Sequence, residues 1–307
     1  MRKVMLYFAL CALLPLVLMQ EATAEATPTK ILVNGVQLHY VDAGNGVPAI
    51  FIHGGLEDYR AWDQQIAAFS QRYRAIAYSR RYNFPNSGAI RGDSYSALVD
   101  AKDLAALIKK LGLPPAHLVG NSYGAYVAPL VAVMHPELVR SLVLSEPPVL
   151  RWLPEIEGGK LLFNEFMSVV WEPTTRGFRK SDEAGVMAAI NGFGELGYSG
   201  TDEKMTFATL PPEVRTVVLE NAPEWKALTM SKDAFPVIPL SAIRHLKIPT
   251  LLLSGRRSLK LSNAIDGQLE RLLPQGERLI LADATHEMWS EYPEECRNAA
   301  IAFMARH

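Results

Sequence analysis

Gly120-Asn121-Ser122-Tyr123-Gly124 is the segment whose residue types point most directly to chemistry. Small residues on both sides of a serine suit a tight, strained turn from a strand into a helix, which leaves the hydroxyl projecting at the helix N-terminus as a nucleophile. Such a serine needs a base, and seven histidines are present: His39, His53, His117, His135, His245, His286 and His307. His39 falls in a hairpin, His117 at the start of a strand, His135 at the end of a helix and His307 at the chain terminus. His286, in Ala284-Thr285-His286-Glu287-Met288, falls between the last strand and the last helix. That loop belongs at the same sheet edge as Ser122, so His286 is the expected base. His53-Gly54-Gly55-Leu56 closes the first parallel strand. Its glycines let the backbone approach a ligand, and the Gly55 amide, or alternatively that of Leu56, is expected to face a developing oxyanion together with the Tyr123 amide. His53 reads as a brace for this loop.

These loops need a scaffold. Asn34-Gly35 between residues 31–33 and 36–41 predicts a hairpin with a type I′ turn. Short continuous apolar runs then alternate with helical patterns: strands over 49–53, 73–78, 116–120 and 139–144, helices over 62–70, 94–111 and 123–135. Continuous rather than alternating apolar runs are the mark of parallel strands covered on both faces. The rhythm breaks after Pro147-Pro148 and resumes with strands over 248–254 and 277–281 and helices over 261–273 and 293–305. The predicted fold is therefore α/β, a doubly wound, mostly parallel sheet, with residues 148–236 inserted as a helical cap. The core takes residues 25–147 and 237–307.

The serine elbow, the His-Gly-Gly loop, the late histidine and the order Ser…acid…His together resemble the α/β-hydrolase fold family, over nearly all of residues 31–307 apart from the cap. The resemblance implies an eight-stranded sheet, a Ser-His-acid triad and no cofactor. It also exposes a departure. Members usually carry Asp shortly after the seventh strand, whereas Leu253-Ser254-Gly255-Arg256-Arg257-Ser258 places Ser258 there. A hydroxyl cannot stabilise the imidazolium that forms when histidine takes the serine proton. Some members, among them one subfamily of haloalkane dehalogenases and the fungal zearalenone lactonases, place the acid after the sixth strand, where this chain has Ser145-Glu146-Pro147-Pro148. Glu146 is the expected acid, its backbone held extended by the prolines; Asp266, on the helix after strand seven, is the alternative.

The 307 residues are 49% hydrophobic and 21% charged, with a formal net charge of −1. That excludes a disordered chain and gives no basic face for nucleic acid. Met1-Arg2-Lys3, the apolar run 4–19 and Ala22-Thr23-Ala24 read as a secretory signal cleaved after Ala24. The apolar run, interrupted by Pro15, is shorter than the roughly 20 residues a membrane span needs. A periplasmic or secreted protein without a stable membrane anchor is expected. Cys11 leaves with the signal, so Cys296 remains alone and reads as a small buried hydrophobe. The Ser79-Arg80-Arg81-Tyr82 loop reads as structural.

The expected reaction is hydrolysis of a small-molecule carboxylic ester or lactone through an acyl-enzyme, by a Ser122-His286-Glu146 triad with Gly55 and Tyr123 as oxyanion donors. Aromatics are frequent in the cap, including Trp152, Phe166, Trp171, Phe193, Tyr198 and Trp225. They favour a largely apolar substrate, with Leu56, Trp152 and Trp171 as binding candidates. The resemblance argues against dehalogenase or epoxide hydrolase chemistry, because those members carry Asp at the elbow. Perhydrolysis and carbon–carbon bond hydrolysis are alternatives on the same triad, and a non-catalytic ligand-binding homologue is the alternative outside catalysis.

Overall fold

Asn34 and Gly35 both take left-handed backbone (φ 47 and 76) and fold β1 (Thr29–Val33) back onto β2 (Val36–Ala43). The computed structural model describes residues 28–86, 88, 90, 93–197 and 204–307. The export signal read over residues 1–24, with Cys11, and the cap residue Tyr198 lie outside the described residues. After the hairpin come β3 (Pro48–Ile52), α1 (Asp63–Phe69), β4 (Arg74–Tyr78), α2 (Ala97–Lys110), β5 (Ala116–Asn121), α3 (Tyr123–Met134) and β6 (Val139–Ser145). The cap follows as α4 (Gly159–Phe166), α5 (Glu172–Phe178), α6 (Asp182–Glu195), α7 (Pro212–Glu220) and α8 (Ala222–Met230). The chain returns through α9 (Leu240–Arg244) to β7 (Thr250–Gly255), α10 (Lys260–Leu272), β8 (Gly276–Leu281), α11 (Met288–Glu291) and α12 (Pro293–Met304).

The eight strands form one sheet in the order β1-β2-β4-β3-β5-β6-β7-β8, antiparallel at β1–β2 and β2–β4 and parallel beyond. Side chains alternate between two cores. Ala49, Phe51, Val119, Val143 and Leu253 pack with α1 and α12, while Ile50, Ile52, Leu118, Leu142 and Leu252 pack with α2, α3, α10 and the cap. Burial on both faces explains why these strands read as unbroken apolar runs. Among the described residues no helix is long and apolar enough to cross a membrane. Cys296 is buried in α12 against the Met288 carbonyl, and burial pushes its thiol up to about 12.

Register decides what meets at the C-terminal edge. Ile52 pairs with Gly120 and Gly120 with Leu144; Asn121 pairs with Ser145, and Ser145 with Leu253. The residues that follow β3, β5, β6 and β7 therefore emerge side by side, which is where open α/β sheets bind ligands.

Candidate active site

Ser122 stands alone between β5 and α3 with φ 50 and ψ −120, a strained conformation for a residue bearing a Cβ. Its amide donates to the Ser145 carbonyl at 2.8 Å, which ties the turn to β6. The flanking glycines are required by contact. A Cβ on Gly124 would collide with the Ile52 carbonyl oxygen, and one on Gly120 would lie 2.7 Å from the Ala125 amide nitrogen.

Glu146, one residue beyond β6, is 1% exposed. Its Oε2 lies 2.6 Å from His286 Nδ1, and its Oε1 accepts the Gly255 amide at 2.8 Å. The backbone corrects the sequence reading: Glu146 has φ 49, left-handed rather than extended, and this turn swings the carboxylate across the end of β7. Ser258 is nearly buried, and its hydroxyl has no hydrogen-bond partner among the described residues. Asp266 is fully buried, and its Oδ2 accepts from Ser254 Oγ at 2.5 Å. Burial and the charge of Glu146 push the Asp266 carboxyl up to about 8. For His286, burial works against the imidazolium. The hydrogen bond and charge of Glu146, with the charges of Glu287 and Glu57, outweigh it and hold the ring above its ordinary value.

The loop after β3 is held from below and from the cap. His53 is fully buried, with Nδ1 on the Gly54 carbonyl at 2.8 Å and Nε2 accepting the Arg80 amide at 3.2 Å. Burial and the Arg80 charge keep it well below the usual histidine range, so it braces the loop as a neutral ring. The Arg80 guanidinium, also buried, donates to the His53 carbonyl and, at 2.9 Å, to that of Gly54. It pairs with Glu224 of α8 through Nε (2.8 Å) and one terminal nitrogen (2.5 Å). Glu224 Oε2 in turn accepts from Asn83 Nδ2 (3.2 Å) and from the Leu56 amide (3.4 Å). Leu56, at φ 60, therefore turns its amide to the cap, whereas the Gly55 amide has no acceptor among the described residues. Tyr123 opens α3, so its amide is one of the N-terminal donors without an intrahelical partner.

Ser122, Tyr123, Glu146, His286, Gly55 and Leu56 all line one cavity of about 570 Å³. Its upper walls are apolar and include Phe166, Phe193, Leu210, Val218, Trp225 and Phe235. Trp152 and Trp171, the cap candidates, are not on this wall. Trp152 is turned into the core and donates its indole N–H to the Ile238 carbonyl at 2.7 Å. Trp171 stands behind the lining, its ring 6.2 Å from Trp225 and 5.2 Å from Phe235.

Sequence reasoning missed Glu57 and Glu224 as parts of this site, while Trp225, one of the cap aromatics named from the sequence, does line the cavity. Glu57 lines the cavity and accepts the Gly54 amide at 2.7 Å; burial and Glu287 push its carboxyl up to about 7. Its position three residues after Gly54 was a usable signal, since a loop tight enough for two glycines returns on itself. Among the described residues no group of three or more His, Cys, Asp or Glu is placed to hold a metal ion.

Residues 48–291 match the model of the α/β hydrolase fold family. The chain is 22% identical to bifunctional epoxide hydrolase 2 of Rattus norvegicus over 307 residues, covering 88% of this chain and 54% of that one. It thus spans about half the length of that relative. In structure it is similar to carboxylesterase CesB from Bacillus subtilis, with TM-score 0.70, 19% identity and 93% of each chain covered. It is also similar to the enol-lactonase from Burkholderia xenovorans LB400, with TM-score 0.71, 19% identity, and 90% of this chain and all of that one covered.

Proposed function

This chain belongs to the α/β hydrolase fold family, and from that premise we propose that it is a serine hydrolase of carboxylic esters or lactones. The observation that carries the reading is the 2.6 Å contact between His286 Nδ1 and Glu146 Oε2, in a cavity that His286 shares with Ser122. With Nδ1 held by Glu146, Nε2 takes the Ser122 proton as Oγ bonds to the substrate carbonyl carbon. The amides of Gly55 and Tyr123 stabilise the oxyanion, and the leaving oxygen departs with the proton from Nε2. Water then enters, and His286 takes its proton as the water oxygen bonds to the acyl carbon; the bond from that carbon to Ser122 Oγ breaks, the proton passes from Nε2 to Oγ, and the acyl group is released as the carboxylic acid.

Neighbours in structure named as a carboxylesterase and an enol-lactonase support the ester and lactone class. The relative named as an epoxide hydrolase does not extend its chemistry here. A serine oxygen opening an epoxide would form an ether, which offers no carbonyl for His286 and water to hydrolyse; a carboxylate nucleophile would form an ester. The apolar upper walls favour a largely apolar substrate. The proposal includes export: with residues 1–24 removed, the mature enzyme acts in the periplasm or outside the cell.

Labelling with a fluorophosphonate, followed by peptide mapping, tests the reading. One adduct is expected on Ser122 of the folded protein and none in Ser122→Ala. Folded protein that takes up no label would refute it and favour a non-catalytic ligand-binding role.

A further inference from the structure

Glu57 is half-buried and borders the cavity that holds Ser122 and His286, yet the triad does not use it. Its Oε2 accepts the Gly54 amide at 2.7 Å, and its backbone carbonyl accepts from Asn83 Nδ2 at 2.9 Å. Side chain and backbone are both tethered. Oε1 takes no hydrogen bond among the described residues. A carboxyl oxygen carries lone pairs that seek donors, and at a cavity wall the donor is water or substrate.

This carboxyl stands close to the reacting atoms. A Cβ on Gly54 would lie 2.8 Å from Glu57 Oε2 and 3.4 Å from the Ser122 Cβ, so one glycine separates the carboxyl from the nucleophile. β3, which leads to Glu57, lies on one side of β5; β8, which leads to His286, lies on the other. Ser122 follows β5, so Glu57 and His286 flank it. They are near enough for each to feel the other's charge. With Nδ1 held by Glu146, the ring nitrogen left for the cavity is Nε2.

These relations bear on the second half of the reaction. The deacylating water carries two protons. One passes to His286 Nε2 as the water oxygen bonds to the acyl carbon, and then to Ser122 Oγ as the ester bond breaks. The other stays on the oxygen and departs in the carboxylic acid. An acceptor for this second O–H, fixed beside Ser122, would hold a lone pair of the water on the acyl carbon.

We propose that Glu57 Oε1 is that acceptor, orienting the deacylating water and favouring water over alcohols as the acyl acceptor. The inference rests on the hydrolase reading. An alcohol brings a single O–H, which His286 takes, and so gains nothing from Glu57. No proton moves to Glu57, which ends the cycle as it began.

The test follows p-nitrophenyl butyrate with and without methanol in the wild type and in Glu57→Gln, at pH 8. Burial and Glu287 push the Glu57 carboxyl up to about 7, so it is mostly ionised there. Glutamine keeps a carbonyl oxygen for the Gly54 amide and turns an NH₂, a donor, to the cavity. The burst of p-nitrophenol, which reads acylation, is expected within about 3-fold of wild type, while the steady rate falls about 10- to 100-fold. At a fixed methanol concentration the ratio of methyl butyrate to butyrate should rise about 10-fold or more. Equal losses in both phases, or an unchanged product ratio, would overturn the proposal. A crystal structure of the wild type does not depend on the variant's folding. A water within about 3.2 Å of both Glu57 Oε1 and His286 Nε2 is expected, and its absence would overturn the proposal. Failure of the hydrolase reading is distinct: the wild type would then release no p-nitrophenol and take no fluorophosphonate on Ser122.

Discussion

Glu146 holds His286 with one carboxylate oxygen and the end of β7 with the other, accepting the Gly255 amide at 2.8 Å and meeting His286 Nδ1 at 2.6 Å. The carboxylate thus arrives from β6 yet is braced on β7, three residues before Ser258. The left-handed turn at Glu146 makes this reach possible, and the two bonds together fix the side chain that orients the histidine.

Asp266 is a neighbour of this pair and is expected to be dispensable for turnover. Because burial and Glu146 push its carboxyl up to about 8, it is largely protonated near neutral pH, and Asn is a close replacement. Asp266→Asn should keep kcat/KM within about 3-fold of wild type at pH 7. The folded state holds this proton up to about 8, whereas the unfolded chain releases it near the ordinary aspartate value of 3.8, so wild-type stability falls as pH rises through that window. The Tm of Asp266→Asn relative to wild type should therefore climb between pH 4 and pH 8. A flat difference would contradict the buried protonated carboxyl.

The acid limb of activity should report His286. The ring must be neutral to accept the serine proton, and its pKa is raised above 6.5, so kcat/KM should fall as pH drops through a midpoint above 6.5. Glu146→Gln removes the hydrogen bond and charge that raise the ring and leaves burial, which lowers it. The midpoint of the residual activity should move down. An unchanged midpoint would mean that another group sets the limb.

The contact between Glu224 and Arg80 joins cap to core with both side chains fully buried. Glu224→Gln leaves the guanidinium facing, among the described residues, only Asp100, 3.9 Å away, as a buried carboxylate partner. The expected cost is about 3 kcal/mol, since removing one member of a buried pair strands the other. Urea unfolding would measure it; a loss below about 1 kcal/mol would place the pair among those worth little.

Two glycines should respond in opposite directions. Gly124→Ala forces a Cβ into the Ile52 carbonyl, a backbone atom that cannot yield, and should cost about 2 kcal/mol or more together with activity. Gly267, within α10, would place its new Cβ no nearer than 3.8 Å to the Arg271 side chain. Gly267→Ala should stabilise by about 0.5–1 kcal/mol. Thermal unfolding of both variants decides the matter.

Much of this arrangement is legible in the sequence because it is local. The strand runs, Asn34-Gly35 and the serine elbow are contiguous signals, and Glu146 stands out once Ser258 occupies the place where an acid is usual. The cap contacts are not local. Glu224 meets Arg80 across 144 positions and the Leu56 amide across 168, and nothing in the pattern of α8 distinguishes a glutamate that enters the core from one in solvent. Trp152 illustrates the same limit. An aromatic at the start of a cap has the same apolar signature whether it lines a cavity or, as here, turns its indole to the Ile238 carbonyl. The φ of Glu146 was hidden because Pro147 restricts its neighbour without forbidding a left-handed turn.

Steady-state hydrolysis of an aryl ester by Glu146→Gln, beside Asp266→Asn and the wild type, tests the triad most directly. A glutamine keeps the shape of the side chain but cannot offset the imidazolium that forms on His286. Glu146→Gln should lose about 10³-fold or more in kcat at pH 7 while Asp266→Asn retains near-normal turnover. Activity in Glu146→Gln within about 10-fold of wild type, with Asp266→Asn inactive, would contradict the assignment of Glu146 as the acid.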